Sequence, residues 1–94
     1  MTPLLAIGPA PLALDALVAL VTGRPAGGQG TDGAVAVFLG LVRNHNVGRS
    51  VIYLVYEAYE PLALRSFERI SAEVTAKWPG VRLALHHRTG RVGI

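Results

Sequence analysis

Apolar residues along the chain fall into stretches of different period, and each period predicts a different element. Residues 4–7 are a short apolar run closed by Gly8 and Pro9, which predicts a first strand. Residues 12–21 are apolar nearly all round, with Pro11 suited to a first helical turn, Asp15 near the positive N-terminal end and Gly23 as a stop. That pattern predicts a helix buried on more than one side. Residues 34–39 are continuously apolar between glycines and predict a buried central strand, and residues 51–59, rich in β-branched and aromatic side chains, predict the next. The short polar link between these two predicts a hairpin and antiparallel pairing.

Pro61 opens a second helix, in which Ala63, Phe67, Ile70, Val74 and Trp78 recur at helical spacing to form one apolar face. Arg65, Glu68, Arg69, Glu73 and Lys77 occupy its solvated side, and Pro79 and Gly80 end it. Residues 81–88 alternate, with Val81, Leu83, Leu85 and His87 on one side and Arg82, Ala84, His86 and Arg88 on the other, which predicts a half-buried strand. After Thr89 and Gly90 another apolar piece begins with Val92 and Ile94. The order strand, helix, strand, strand, helix, strand predicts a single α+β domain over residues 1–94, with a mainly antiparallel sheet that looks cut short.

Residues 23–33 have too many glycines for a regular element and read as a loop. Gly28, Gly30 and Gly33 there have dinucleotide-binding spacing, but the loop follows a helix and opens a strand, the reverse of what that fingerprint needs. Apolar residues at 51% and charged residues at 16% exclude intrinsic disorder and leave apolar surface for a partner. Without cysteine there is neither disulfide nor thiolate chemistry. Residues 1–22 contain no Lys or Arg and carry Pro3, Pro9, Pro11 and Asp15, unlike a secretory signal, and no stretch is long enough to span a bilayer. A cytoplasmic protein without membrane contact is expected. The net charge is +3, but the cations are scattered from Arg24 to Arg91, not clustered in the basic stripe that nucleic-acid binding uses.

Chemistry concentrates between Gly40 and Ser50, where Arg43, Asn44, His45, Asn46 and Arg49 gather on one connection. Guanidinium, amide and imidazole donors at strand ends suit a phosphate or carboxylate, and a plain solvated hairpin loop fits the same residues. A Walker loop is excluded, since Arg43 stands where its first glycine belongs and the lysine is missing. His86 and His87, adjacent in a strand, point to opposite faces and cannot chelate one metal together; no metal site is expected. Glu57 would need a partner if buried, and Lys77 reads as a solvated helix charge. Residue chemistry alone thus reaches an α+β domain with an anion-friendly loop.

Three blocks in order carry a resemblance. The stretch Gly33-Ala34-Val35-Ala36-Val37-Phe38-Leu39-Gly40-Leu41-Val42-Arg43 comes first, then Gly48 with Val51 and Leu54 leading to Tyr56-Glu57-Ala58-Tyr59. A helix ending at Trp78-Pro79 and then His87-Arg88-Thr89-Gly90 complete the pattern, which resembles the large subunit of molybdopterin synthase over about residues 33–94. The resemblance implies an α/β hammerhead-like fold, a homodimer within a heterotetramer, and a small ubiquitin-like sulfur-carrier subunit whose thiocarboxylated tail enters a pocket. It implies sulfurtransferase activity, delivering sulfur twice to cyclic pyranopterin monophosphate to make the molybdopterin dithiolene, with no cofactor of its own.

Mapped onto this chain, the family's substrate-binding arginine falls on Arg43, with Leu41 and Val42 beside it and Asn44 and His45 as further candidates. A guanidinium can hold the pterin phosphate bidentately. The family keeps its catalytic lysines beyond the His-Arg-x-Gly block, so the chain reads as an N-terminal portion, with those lysines and the C-terminal part of the fold beyond Ile94. The alternative is a non-catalytic fragment or binding module that dimerises and holds the small subunit without turnover. A small nucleic-acid binder, with affinity falling steeply with salt, is the third reading.

Overall fold

The computed structural model describes residues 3–23 and 33–94. Strand β1 (Leu5–Gly8) leads to helix α1 (Leu14–Thr22), and two short strands, β2 (His45–Asn46) and β3 (Arg49–Ser50), precede β4 (Tyr53–Tyr56). Helix α2 (Glu60–Lys77), β5 (Leu85–Arg88) and β6 (Gly90–Gly93) follow. The α+β class inferred from the sequence is therefore the one observed, and the glycine-rich fingerprint spacing at Gly28 and Gly30 lies outside the described residues.

Local chemistry accounts for both helices. Gly23 ends α1 in the left-handed conformation with φ 68°, as a residue without Cβ permits, and the Thr22 hydroxyl donates back to the Val18 carbonyl at 2.8 Å. Pro61 sits in the first turn of α2, where its missing N–H is no loss, and Gly80 turns the chain away with φ 91°. On α2 the half-buried residues are Ala63, Leu64, Phe67, Ser71 and Val74, and the helix packs on β1. Lys77 lies at its last turn with the ammonium 4.9 Å from the centre of the Trp78 ring.

The strands form three separate pairs. β1 runs parallel to β5, from Leu5 opposite Leu85 to Gly8 opposite Arg88. Such a pair requires a long crossover, and both helices lie in it. β2 and β3 make a small antiparallel hairpin, and β4 pairs antiparallel with β6, from Tyr53 opposite Gly93 to Tyr56 opposite Gly90. The ladders meet at one corner: the Thr89 amide still donates to the Gly8 carbonyl at 2.8 Å, and Gly90, with φ 83°, turns the next residues toward β4. The His-Arg-x-Gly block is this corner. Arg88 Nε donates to the Pro9 carbonyl at 3.3 Å, and His87 meets the Tyr56 ring edge-on at 5.2 Å. His86 turns the other way and donates through Nε2 to the Pro3 carbonyl at 2.7 Å. The two histidines thus take different partners on different sides, as alternation along a strand requires.

Four expectations are corrected. Residues 34–39 lie in no ladder and are exposed, with Phe38 at 98%, because none of the described strands runs beside them. β4 pairs with β6 instead, so the hairpin expected between residues 34–39 and 51–59 is replaced by the smaller β2–β3 hairpin inside their connection. Residues 81–84 are not in a strand, and only Leu85–Arg88 of the alternating stretch pairs. Helix α1 is half-buried rather than enclosed, because an open cleft lies along Leu14, Leu17, Val18 and Val21. Glu57 is exposed and so needs no buried partner.

No apolar side chain among the described residues is fully buried. The accessible surface is 7426 Å², whereas a compact monomer of 9.9 kDa would expose roughly 5,200 Å². Its radius of gyration, 15.4 Å, exceeds the ~12–13 Å of a compact chain this long. Order therefore comes from hydrogen-bonded ladders and helices more than from a closed core.

Candidate functional site

The connection that concentrates charge in the sequence folds back on itself. Its hairpin is extended by the Val51 amide, which donates to the Asn44 carbonyl at 2.7 Å, and is closed by Val47 and Gly48 with φ of 49° and 72°. Two left-handed residues make the turn whose twist matches paired strands. Valine is an unusual occupant there. A non-glycine residue held in that region costs about 1–3 kcal/mol, and strain of this kind persists only where the surrounding pairing over-determines it.

The folded connection lines a cavity of about 350 Å³ with Leu41, Arg43, His45 and Asn46, completed by Val51 and Leu54 from the following segment. That is at the small end of the ~300–1,000 Å³ usual for ligand pockets. Arg43 Nη2 donates to Asn46 Oδ1 at 2.9 Å, and Asn44 Oδ1 accepts from His45 Nδ1 at 2.9 Å. An imidazole donating through Nδ1 keeps Nε2 for a ligand, and the guanidinium keeps most of its N–H groups. Residues 43–50 hold two arginines and no acid, so the rim favours an anion.

Of the residues expected from the sequence, Leu41, Arg43 and His45 come together around this cavity. Val42 is half-buried and outside the lining, and Asn44 acts at one remove, through His45. Asn46, one of the polar residues noted on this connection but not among those mapped to the substrate, joins them, and Val51 and Leu54 are additions. Lys77 is not among the lining residues. No group of three or more His, Cys, Asp or Glu able to hold a metal occurs among the described residues. No helix among them is long and apolar enough to cross a membrane.

A second cavity, about 600 Å³, lies between α1 and residues 33–38 and 80–84 and is lined mainly by aliphatic side chains. Thr22 and Arg82 are the hydrogen-bonding side chains among its lining residues.

The molybdopterin synthase catalytic subunit of Nostoc sp. is 43% identical over 86 residues, covering 90% of this chain and 48% of that protein. Catalytic subunit 1 of Mycobacterium tuberculosis is 40% identical over 84 residues, covering 89% of this chain and 53% of its own length. The chain thus spans about half the length of these curated relatives. Among solved structures, the molybdopterin cofactor biosynthesis protein E of Burkholderia multivorans superposes with a TM-score of 0.79 at 32% identity, over 99% of this chain and 61% of that one. The family described as MoaE protein matches residues 7–94, from β1 through the Arg43 hairpin to β6, and the chain belongs to it.

Proposed function

We propose that the chain serves in the large, catalytic subunit of molybdopterin synthase, a sulfurtransferase of molybdenum cofactor biosynthesis, and that the Arg43 cavity takes the phosphate-bearing end of cyclic pyranopterin monophosphate. The observation that carries the reading is this cavity, rimmed by a tethered guanidinium and an oriented imidazole, inside a match to the family from residue 7 to 94. In this reading Arg43 holds the phosphate by charge-assisted hydrogen bonds, Leu41 shapes the wall beside it with Val42 next in the chain, and the Asn44 amide N–H group supplies a further donor, its oxygen engaged by His45. Sulfur comes from the thiocarboxylated C-terminus of a small ubiquitin-like subunit and is delivered twice, giving the dithiolene. The large subunit works in the cytoplasm as a homodimer within a heterotetramer. The transfer step belongs to the family's lysines, which have no counterpart in these 94 residues: the chain's single lysine, Lys77, sits on α2 beside Trp78.

Equilibrium binding of cyclic pyranopterin monophosphate tests the site. Removing one charge-assisted contact costs about 1.5–3 kcal/mol, so Arg43→Ala weakens binding at least about tenfold. Equal affinity in the variant would remove Arg43 from the site. Incubation of these 94 residues with thiocarboxylated small subunit and precursor tests the assignment of chemistry to the lysines: the expected result is binding without product, and full turnover would overturn it. A second reading, a binding module that dimerises and captures the small subunit without turnover, is favoured by the exposed apolar residues Phe38, Leu41 and Ile52, at 98%, 79% and 70%. Capture of the small subunit by the chain, with no precursor bound, would select it.

A further inference from the structure

We propose that Asn46 is the positioning residue of this site: it aims the Arg43 guanidinium at the incoming phosphate without neutralising it. This inference rests on the reading that the Arg43 cavity binds a phosphate. Asn46 ends β2 opposite Arg49, directly before the left-handed pair Val47 and Gly48. Its backbone is held on both sides, by the ladder from His45 opposite Ser50 and by the strained turn, so its side chain springs from an ordered anchor. Arg43 Nη2, three residues earlier on the same arm, donates to the Asn46 side-chain oxygen at 2.9 Å.

An exposed arginine otherwise samples many rotamers, and ordering it at the moment of binding subtracts from affinity; a tether formed beforehand removes part of that loss. The chemistry of the tether also matters. An amide oxygen accepts the hydrogen bond while leaving the positive charge whole. A carboxylate at the same place would hold the guanidinium more tightly and compete with the phosphate for it. The hairpin therefore unites two needs that conflict at most anion sites: a rigid arginine and an uncompensated one.

The test is a double-mutant cycle on the full chain, with inorganic phosphate as the probe and a second readout on the arginine itself. Asn46→Ala is expected to weaken phosphate binding about three- to tenfold, the cost of ordering one long side chain, and to change it less than about twofold when Arg43 is already alanine. Nitrogen relaxation at Arg43 Nε is expected to show lost order in Asn46→Ala. In Asn46→Asp the order is expected to be kept while phosphate affinity falls, a combination that mere support of the turn would not produce. Equal losses in both Arg43 backgrounds, or unchanged Arg43 order without Asn46, would overturn the positioning role. If the unaltered chain binds no phosphate, the functional reading falls, and the relaxation measurement still decides whether Asn46 holds Arg43.

Discussion

Two apolar stretches of this chain meet opposite fates. On α2, Ala63, Leu64, Phe67 and Val74 settle half-buried on the face that packs on β1. Residues 34–39 are more apolar, yet Val37, Phe38 and Leu39 are 54%, 98% and 48% exposed. The difference lies in what each element needs from elsewhere. A helix satisfies its own backbone and can present a stripe to whatever it touches, whereas a strand is completed only by neighbours that take its hydrogen bonds and cover both faces. Apolarity in a strand-like run says that the run suits burial and leaves open what covers it.

That contrast can be broken experimentally. The largest effect is expected at Phe67→Ala, which removes a half-buried ring from the packed face of α2. Full burial would give about 3–5 kcal/mol, and the partial burial here reduces this to roughly 2–3 kcal/mol in urea unfolding. Next comes Gly90→Ala at the corner between the ladders. A Cβ there meets no atom within 4 Å, so the cost is that of holding alanine at φ 83°, about 1–2 kcal/mol. An unchanged unfolding midpoint in this variant would show that the corner is not held as described. The smallest effect is expected at Phe38→Ser, whose exposed ring leaves stability within about 0.5 kcal/mol of the parent. A loss as large as that of Phe67→Ala would mean residues 34–39 are packed after all, and the comparison would fail.

Helical period and stop residues were legible in the sequence. Both helices end at the glycine or Pro-Gly signals that chain chemistry demands, and three of the five apolar positions expected on the α2 face lie on it. Ile70 and Trp78, at 43% and 54% exposed, depart from it because the packed stripe is turned toward Leu64 and Ser71 and because Trp78 lies past the last helical residue. Strand pairing was not legible. Nothing in the alternation of residues 81–88 tells that its second half pairs parallel with β1, or that the next strand crosses to β4, since such choices depend on contacts distant in sequence. The site was half legible: Arg43 and His45 stand out by residue type, whereas the part played by Asn46 depends on a turn closed by Val47, a residue that turn preferences would not place there.

The corner at Gly90 also sets an order of events during synthesis. β1 and β4 are each made before the strand that completes them, and Leu5 waits for Leu85. At ribosomal speeds of about 5–20 residues per second, the apolar segment at the start of the chain stays unpaired for roughly 4–16 s, until its partner emerges. Both long ladders then become available nearly together, since β5 and β6 are separated only by Thr89. The nascent chain thus carries β1 and β4 unpaired, and open to aggregation, until residues 85–93 have been made.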